Sequence, residues 1–515
     1  MRERPRFAEV IAVLSMATDL GLGLPLEHTV RTCLLSVEIG RRAGMSPPEL
    51  ADVYYLTLLR MLGCTADSAG QAGFLGDEVA FSRDTQHLDY GDQAAFGRWV
   101  MESFAIDRPA AERQAMLGRL FSYTPQTRAA NLAGHCEVAQ MLAARLGFTG
   151  AVPEGLACVF ERWDGTGAPN GVAGADLPAG VRVMTLANEI EAHHRLGGPQ
   201  AAVAMARQRS GRAFDPDLVE MFCADTDAIL AVIGRPSARA DLLLAEPAPH
   251  RVATEAELLE AARVMADFAD MKSAFLAGHS TEVADLATRA AERMRLDAAG
   301  RLALTVGALA HDLGRVAVTA AIWDKPGPLN DSEWEKVRLH PYYSERLLAR
   351  VPTLAGAARI AGSHHERGDG SGYHRGSGSA EQPAPGCLVA AADVYVAMRQ
   401  ARAFRPALDP DRAGTELRKL AVGGLLDTHA VNAVLAAAGN TGPAVRRKWP
   451  AGLTDREVDV LREAAKGGSI QQVAAGLHLA PKTVDFHLQN IYAKAQVTTR
   501  AGATLFAIQN GLLQP

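Results

Sequence analysis

The chain has no C-x-x-C pair: its six cysteines, Cys33, Cys64, Cys136, Cys158, Cys223 and Cys387, are scattered through the sequence. That spacing excludes a disulfide framework and a structural zinc knuckle, and it fits a reducing, cytoplasmic setting. No window approaches the roughly 18 uninterrupted apolar residues of a membrane span, so no membrane partner is expected. The start, MRERPRFAEVIAVLSMATDL, is basic, but Glu9 and Asp19 bracket a short apolar stretch and no small-residue cleavage site follows, so it reads as a first helix. Aromatic residues are only 6% of the chain, and no convincing period-2 strand pattern appears. A net charge of -5 excludes a basic nucleic-acid coat over the whole molecule, leaving local charge to decide whether one part binds DNA.

What the sequence does contain is helical periodicity and a repeat. At 515 residues the chain is too long for one ordinary core. Segments such as HSTEVADLATRAAERM and DSEWEKVRLHPYYSERLLARV space apolar residues three and four apart, so the class is all-α. LPLEHTVRTCLLSVEIGRRAGMSPPELADVYYLTLLRMLG (24–63) reads in parallel with LAGHSTEVADLATRAAERMRLDAAGRLALTVGALAHDLG (276–314), pairing His28 with His279 and Gly63 with Gly314 at an offset of 251. ERWDGTGAPNG (161–171) pairs with ERGDGSGYHRG (366–376) at an offset of 205, which also pairs His135 with His340. The first copy therefore carries 46 extra residues between Gly63 and His135. These patterns predict a first copy over 1–235 with an insert at about 64–134, a linker at 236–257, a second copy over 258–440, a linker at 441–452 and a last block over 453–515.

In the second copy His279, His311 with Asp312, His340, His364 with His365, and Asp393 follow at block intervals of 32, 28, 24 and 28 residues. A lone helical histidine is usually a polar core residue, but a series at helix-sized intervals is a candidate ligand set. Imidazole and carboxylate donors suit iron, manganese or zinc. Neighbours on a helix diverge by about 100°, so His311 and Asp312 are expected to address two metals, with the carboxylate bridging. Two metals about 3.5 to 4 Å apart activate water and neutralise phosphoryl oxygens, which is the chemistry of phosphate ester hydrolysis.

HDLGRVAVTAAIWDKPGPLNDSEWEKVRLHP, HHERGDGSGY and AADVYVAMRQARAFRPA together resemble the HD-GYP branch of the HD-domain metal-dependent phosphohydrolases, over about residues 275 to 410. The resemblance implies a helical domain, a bi- or trinuclear iron or manganese centre, and hydrolysis of cyclic di-GMP to linear pGpG or GMP. It implies His279, His311, Asp312, His340, His364, His365 and Asp393 as ligands, with Asp312 bridging. Arg315 stands where the family usually has lysine, keeping a charge for phosphate with a different reach. Asp312 and Arg315 are thus the candidate catalytic residues. Gly370, Gly372 and Tyr373 would form the substrate loop, in which His374 replaces the proline of G-Y-P. Arg402 and Arg405 sit where a basic element meets substrate phosphate. Phe275 takes the place of a glutamate that supports a third metal in some members, so two ions are expected. The first copy keeps only His28 and His135; Arg60, Met61, Val159, Phe160 and Asn188 fill the other positions, and it is expected to be metal-free.

Residues 453–513 open with Thr454 and Glu457, a capping box. Two short helices follow, one starting at Ser469 and one spanning 480–494, which is a helix-turn-helix pattern. LTDREVDVL, KTVDFHLQNIYAK and TTRAGA carry a resemblance to the LuxR type of DNA-binding domain. From Ala480 onward Lys482, Lys494 and Arg500 outnumber Asp485, so this half is locally positive. Lys482, Thr483, His487 and Asn490 are candidates for base or phosphate contacts, and Lys494 and Arg500 for phosphate. Val484, Leu488 and Ile491 are expected to pack.

The reading that follows is a homodimeric DNA-binding regulator whose metal domain hydrolyses a cyclic dinucleotide or related phosphodiester. A ligand sensor with little or no turnover and a nucleotide phosphomonoester hydrolase remain open at this point.

Overall fold

A computed structural model describes residues 4–513 apart from 123, 235–237, 293, 295, 380, 446–448 and 511. Among the described residues all regular elements are helices, and β pairing is confined to isolated bridges. Among the described residues no helix is long and apolar enough to cross a membrane.

Each copy is built on the same helical scaffold. In the first, Phe7–Gly21, His28–Arg42 and Pro47–Leu59 lead to Pro125–Arg145 and the long Ala179–Arg209, which breaks at Gly198 before Pro199. In the second, Glu255–Asp270, His279–Ala291 and Ala298–Leu309 lead to His340–Leu348, Ala355–Ser363 and Ala384–Arg399. The inserted residues of the first copy form Ser68–Leu75, Glu78–Thr85, Gln93–Ser103 and Ala110–Phe121 around a small aromatic core of Val100, Phe104, Phe81 and Trp99.

Several anchors repeat at the two sequence offsets. Buried Asp19 accepts from Thr29 N at 3.2 Å and Thr29 Oγ1 at 2.6 Å, and Asp270 accepts from Ser280 N at 2.9 Å and Oγ at 2.7 Å. Each thereby fixes the start of the helix that carries His28 or His279. A Cβ on Gly63 would lie 2.1 Å from His135 O, and one on Gly314 2.1 Å from His340 O, so only glycine admits these approaches. Glu161 accepts from Asn170 N at 2.6 Å and Gly171 N at 3.1 Å; Glu366 accepts from Arg375 N at 3.2 Å and Ser377 N at 2.8 Å.

The two copies share one apolar core that runs from Phe7 to Val445. Within the segment expected to link them, Ala238–Ala245 is helical, Leu242 is buried, and Leu242 O accepts from Tyr54 Oη at 3.1 Å. Residues 453–513 enclose a separate core of Val458, Leu461, Val473, Val484, Leu488 and Ile491.

Candidate metal centre

The seven candidate ligands come from helix ends and turns, with one exception. His279 opens His279–Ala291, His340 opens His340–Leu348, and His364 follows the last residue of Ala355–Ser363; Asp393 lies within Ala384–Arg399. His311 and Asp312, expected on a helix, occupy the turn after Ala298–Leu309, before the 3-10 segment Leu313–Ala317. The turn forms because Gly314 presses on the His340 carbonyl and its N–H donates to Ser344 Oγ at 2.8 Å. All seven side chains converge, and only His365 is partly exposed.

Asp312 lies at the centre. Its Oδ2 is 3.1 Å from His311 Nε2 and 3.7 Å from His279 Nε2, whereas its Oδ1 is 3.2 Å from His340 Nε2 and 3.5 Å from His364 Nε2. Asp393 Oδ1 is 3.1 Å from His279 Nε2, and its Oδ2 is 3.8 Å from His365 Nδ1. The donor atoms thus gather into two groups, His279–His311–Asp312 and His340–His364–His365.

The other ring nitrogens set the tautomers. Nδ1 of His311, His340 and His364 lies 2.6 to 2.7 Å from the carbonyls of Ala308, Val337 and Ala361, and Nδ1 of His279 lies 2.9 Å from Gln400 Oε1. A carbonyl only accepts, so Nδ1 of His340 and His364 carries the proton and their Nε2 atoms present lone pairs to the cluster, whereas His279 Nε2 meets Asp393 Oδ1 at 3.1 Å. His340 Nε2 and His364 Nε2 then face each other at 3.1 Å. His311 Nε2, His365 Nδ1 and both oxygens of Asp312 are buried without a hydrogen-bond partner. Converging lone pairs around unsatisfied carboxylate oxygens fit divalent cations and disfavour a dry core.

The local field differs among the ligands: burial lowers His311, but Asp312 and Asp393 outweigh it and raise it to about 9. Burial pushes His364 down to about 4 and holds His340 and His365 below the usual imidazole range, which keeps them neutral and able to ligate. Burial alone would raise the Asp312 carboxyl, but Arg315, His311 and His340 hold it well below the usual range; Asp393 is held down in the same way, chiefly by His279 and His365.

Arg315 Nε stands 2.7 Å from Asp312 Oδ2, and its guanidinium lies 4.8 Å over the Trp323 ring. Arg402 reaches the same side, donating to Phe275 O at 2.5 Å and Gln400 Oε1 at 3.3 Å; burial and Arg315 lower it to about 10, so it stays charged. Arg405 is turned elsewhere, onto the carbonyls of Ala397, Met398, Gln400 and Pro406 at the end of Ala384–Arg399. The Tyr373 ring packs at a tilt against His365, with centroids 4.5 Å apart, and so joins the site, with Gly370 and Gly372 in the loop before it. His374 lies beside Tyr342 and 3.9 Å from Glu366, away from the ligand cluster.

Glu366, Ser344 and Trp323 were not singled out by sequence reasoning, yet they shape this wall. Glu366 was detectable as the glutamate that recurs as Glu161 at the 205-residue offset.

In the first copy the corresponding space is filled from within. His28 Nδ1 pairs with Glu191, and its Nε2 lies 3.0 Å from Asn188 Oδ1; His135 Nε2 is 3.2 Å from Arg60 O, and its ring packs 4.8 Å from Phe160. Arg31 Nε donates to Glu191 Oε1 at 2.8 Å. No group of three ligand atoms gathers there among the described residues.

In the last block, helices Asp455–Ala465, Ile470–Leu477, Pro481–Ala495 and Arg500–Gln509 form the expected arrangement, with Thr454 and Glu457 in a capping box. Val484, Leu488 and Ile491 are buried. Lys482 is exposed, and Thr483, His487 and Asn490 are half-buried on the same helix. Lys494 and Arg500 are engaged within the block: the exposed Lys494 has its Nζ 2.6 Å from Glu457, and Arg500 Nε donates to Ala464 O at 2.8 Å. Gln496 closes the third helix at φ 55°, where a glycine would be unstrained.

The family model described as HD domain matches residues 122–218 and 263–428, just over half of the chain. The chain belongs to the HD domain family. HD domains are metal-dependent phosphohydrolases, and the match covers both copies. Residues 451–507 match the bacterial regulatory proteins of the luxR family. The chain is 28% identical over 419 residues to 3'3'-cGAMP-specific phosphodiesterase 3 of Vibrio cholerae, covering 79% of this chain and 89% of that protein. A crystal structure of a cyclic GMP-AMP-specific phosphodiesterase from the same organism superposes with a TM-score of 0.60 at 25% identity, over 85% of this chain and 99% of the other. The chain is also similar to a cyclic di-GMP phosphodiesterase of Thermotoga maritima, 34% identical over 181 residues, which is 35% of this chain and 48% of that protein.

Proposed function

We propose that this chain is a cytoplasmic DNA-binding regulator whose second HD domain hydrolyses a cyclic dinucleotide, cyclic GMP-AMP or cyclic di-GMP. The observation that carries the reading is Asp312, whose two oxygens face two separate groups of histidines. His279, His311 and Asp393 would hold one divalent ion, and His340, His364 and His365 the other, with Asp312 between them; iron or manganese suits this nitrogen and carboxylate set. When bound, the ions supply Lewis acidity toward water and the phosphoryl oxygens.

The chain's own residues supply the rest. The Nδ1–H bonds of the histidines lock their rings, so the site is organised before substrate arrives. Arg315 and Arg402 place two fixed positive charges beside the cluster for the non-bridging phosphate oxygens. Tyr373, packed against His365, closes one wall with the Gly370–Gly372 loop. Lys482, Thr483, His487 and Asn490 would contact DNA, with the chain as a homodimer.

A sensor with weak turnover is the second reading, supported by Arg315 Nε at 2.7 Å from the Asp312 oxygen that faces His279 and His311. The experiment that tests the proposal measures hydrolysis of cyclic GMP-AMP and cyclic di-GMP by full-length protein prepared without oxygen, with metal analysis on the same sample. Two ions per chain and turnover are expected. Two ions with binding but no turnover would establish the sensor, and no metal with no activity after added manganese would remove both.

A further inference from the structure

We propose that Glu78, in the insert of the metal-free first copy, is a positioning residue for Arg315 in the second copy. The inference rests on the hydrolytic reading above. Glu78 is only 4% exposed and its partner Lys272 only 1%. The Glu78 Oε1 to Lys272 Nζ distance is 2.8 Å. A charge pair so far from water is costly unless every polar atom is used, and here each oxygen has a further partner. Oε1 also accepts from Ala320 N at 2.9 Å, and Oε2 accepts from the Thr319 hydroxyl.

Those contacts fall on one turn of helix, Ala320–Trp323, which is too short to persist without tertiary support. Its far end is held by the Ser273 hydroxyl, which donates to Asp324; Ser273 follows Lys272 directly in the chain. The turn carries Trp323, and Trp323 touches the centre in three ways. Its Nε1–H donates to Arg315 O at 3.2 Å, its ring lies 4.8 Å beneath the Arg315 guanidinium, and its edge meets the His340 ring at 5.7 Å. The first copy has lost its ligands but supplies, through its insert, the carboxylate that sets the wall on which Arg315 rests. The insert thereby gains a role that its own sequence does not announce.

The test uses full-length, manganese-loaded protein. Glu78→Gln alone leaves Lys272 buried without a partner and could fail to fold, so Glu78→Gln with Lys272→Met removes both charges while keeping volume. The double variant is expected to keep two metals and lose about tenfold in kcat with KM within about twofold, because a displaced charge is felt in the transition state. In an Arg315→Ala background the same pair of changes should cost less than about twofold, the non-additivity that marks action through Arg315. Hydrogen exchange in the peptide 316–324 should rise by about tenfold. An equal loss in both backgrounds, or unchanged kcat and unchanged exchange, would overturn the proposal. If the wild-type chain hydrolyses no cyclic dinucleotide, the hydrolytic reading fails by itself, and the exchange measurement alone decides whether Glu78 holds the turn.

Discussion

The two copies of the repeat keep the same frame and differ in what the frame holds. Asp19 and Asp270 anchor equivalent helices, Gly63 and Gly314 press on equivalent carbonyls, and Glu161 and Glu366 gather equivalent loops. Where the second copy gathers candidate metal donors, the first turns its two remaining histidines onto neighbours, Glu191 for His28 and a carbonyl for His135, with Arg31 on Glu191.

The largest effect that would sharpen this contrast is on turnover. Asp312→Ala should lower hydrolysis by about 1,000-fold or more, since each lost 1.36 kcal/mol of transition-state stabilisation costs a factor of ten and the change removes the group shared by both ligand sets. Met61→Ala, at the equivalent position, should leave kcat within about twofold. Comparable losses from both would erase the distinction. Metal content gives the next largest difference: His279→Ala should reduce bound metal from two ions to one or none, whereas His28→Ala should leave two, counted by elemental analysis of the purified chain.

The shared frame makes the opposite kind of forecast, equal effects in both copies. Gly63→Ala and Gly314→Ala should each destabilise by about 3 kcal/mol in urea unfolding, because the added methyl meets a backbone carbonyl that cannot move aside. A loss confined to Gly314 would mean that the first copy has relaxed. The smallest effect is on pH dependence. Burial raises the Asp19 carboxyl from 3.8 to about 6. Between those values the folded state keeps a proton that the unfolded chain releases, so this group's contribution is present below about pH 4 and is lost as pH rises to about 6. Relative to Asp19→Asn, the wild type should lose up to about 2 to 3 kcal/mol over that window. A constant difference across it would show that Asp19 ionises freely in the fold.

The helices and the repeat could be read from the sequence because apolar spacing and recurring motifs are local signals. The candidate ligands are visible through their resemblance to a family, but their placement in turns is not, since the path at His311 depends on Gly314 meeting a carbonyl 26 residues later. The insert remained opaque for a related reason. Glu78 acquires its meaning from Thr319, 241 positions away, and neither residue lies in a pattern that would pair them. His28 was the reverse case: it looked like a surviving ligand, and its partner Glu191 lies 163 positions further on. Among the DNA-facing candidates, the charges of Lys494 and Arg500 were plain from sequence, but their use as internal braces for Asp455–Ala465 was not.

The unbroken core from Phe7 to Val445 has a calorimetric consequence. Cooperativity follows shared packing and not ancestry, so the two copies, joined through this core, are expected to melt together, although the first also holds a cluster of its own around Ile190 and Phe222. A heating scan should resolve two transitions, a large one for both copies together and a small one for the C-terminal block with its own core. Metal added to the second copy would then raise the temperature at which the first one unfolds.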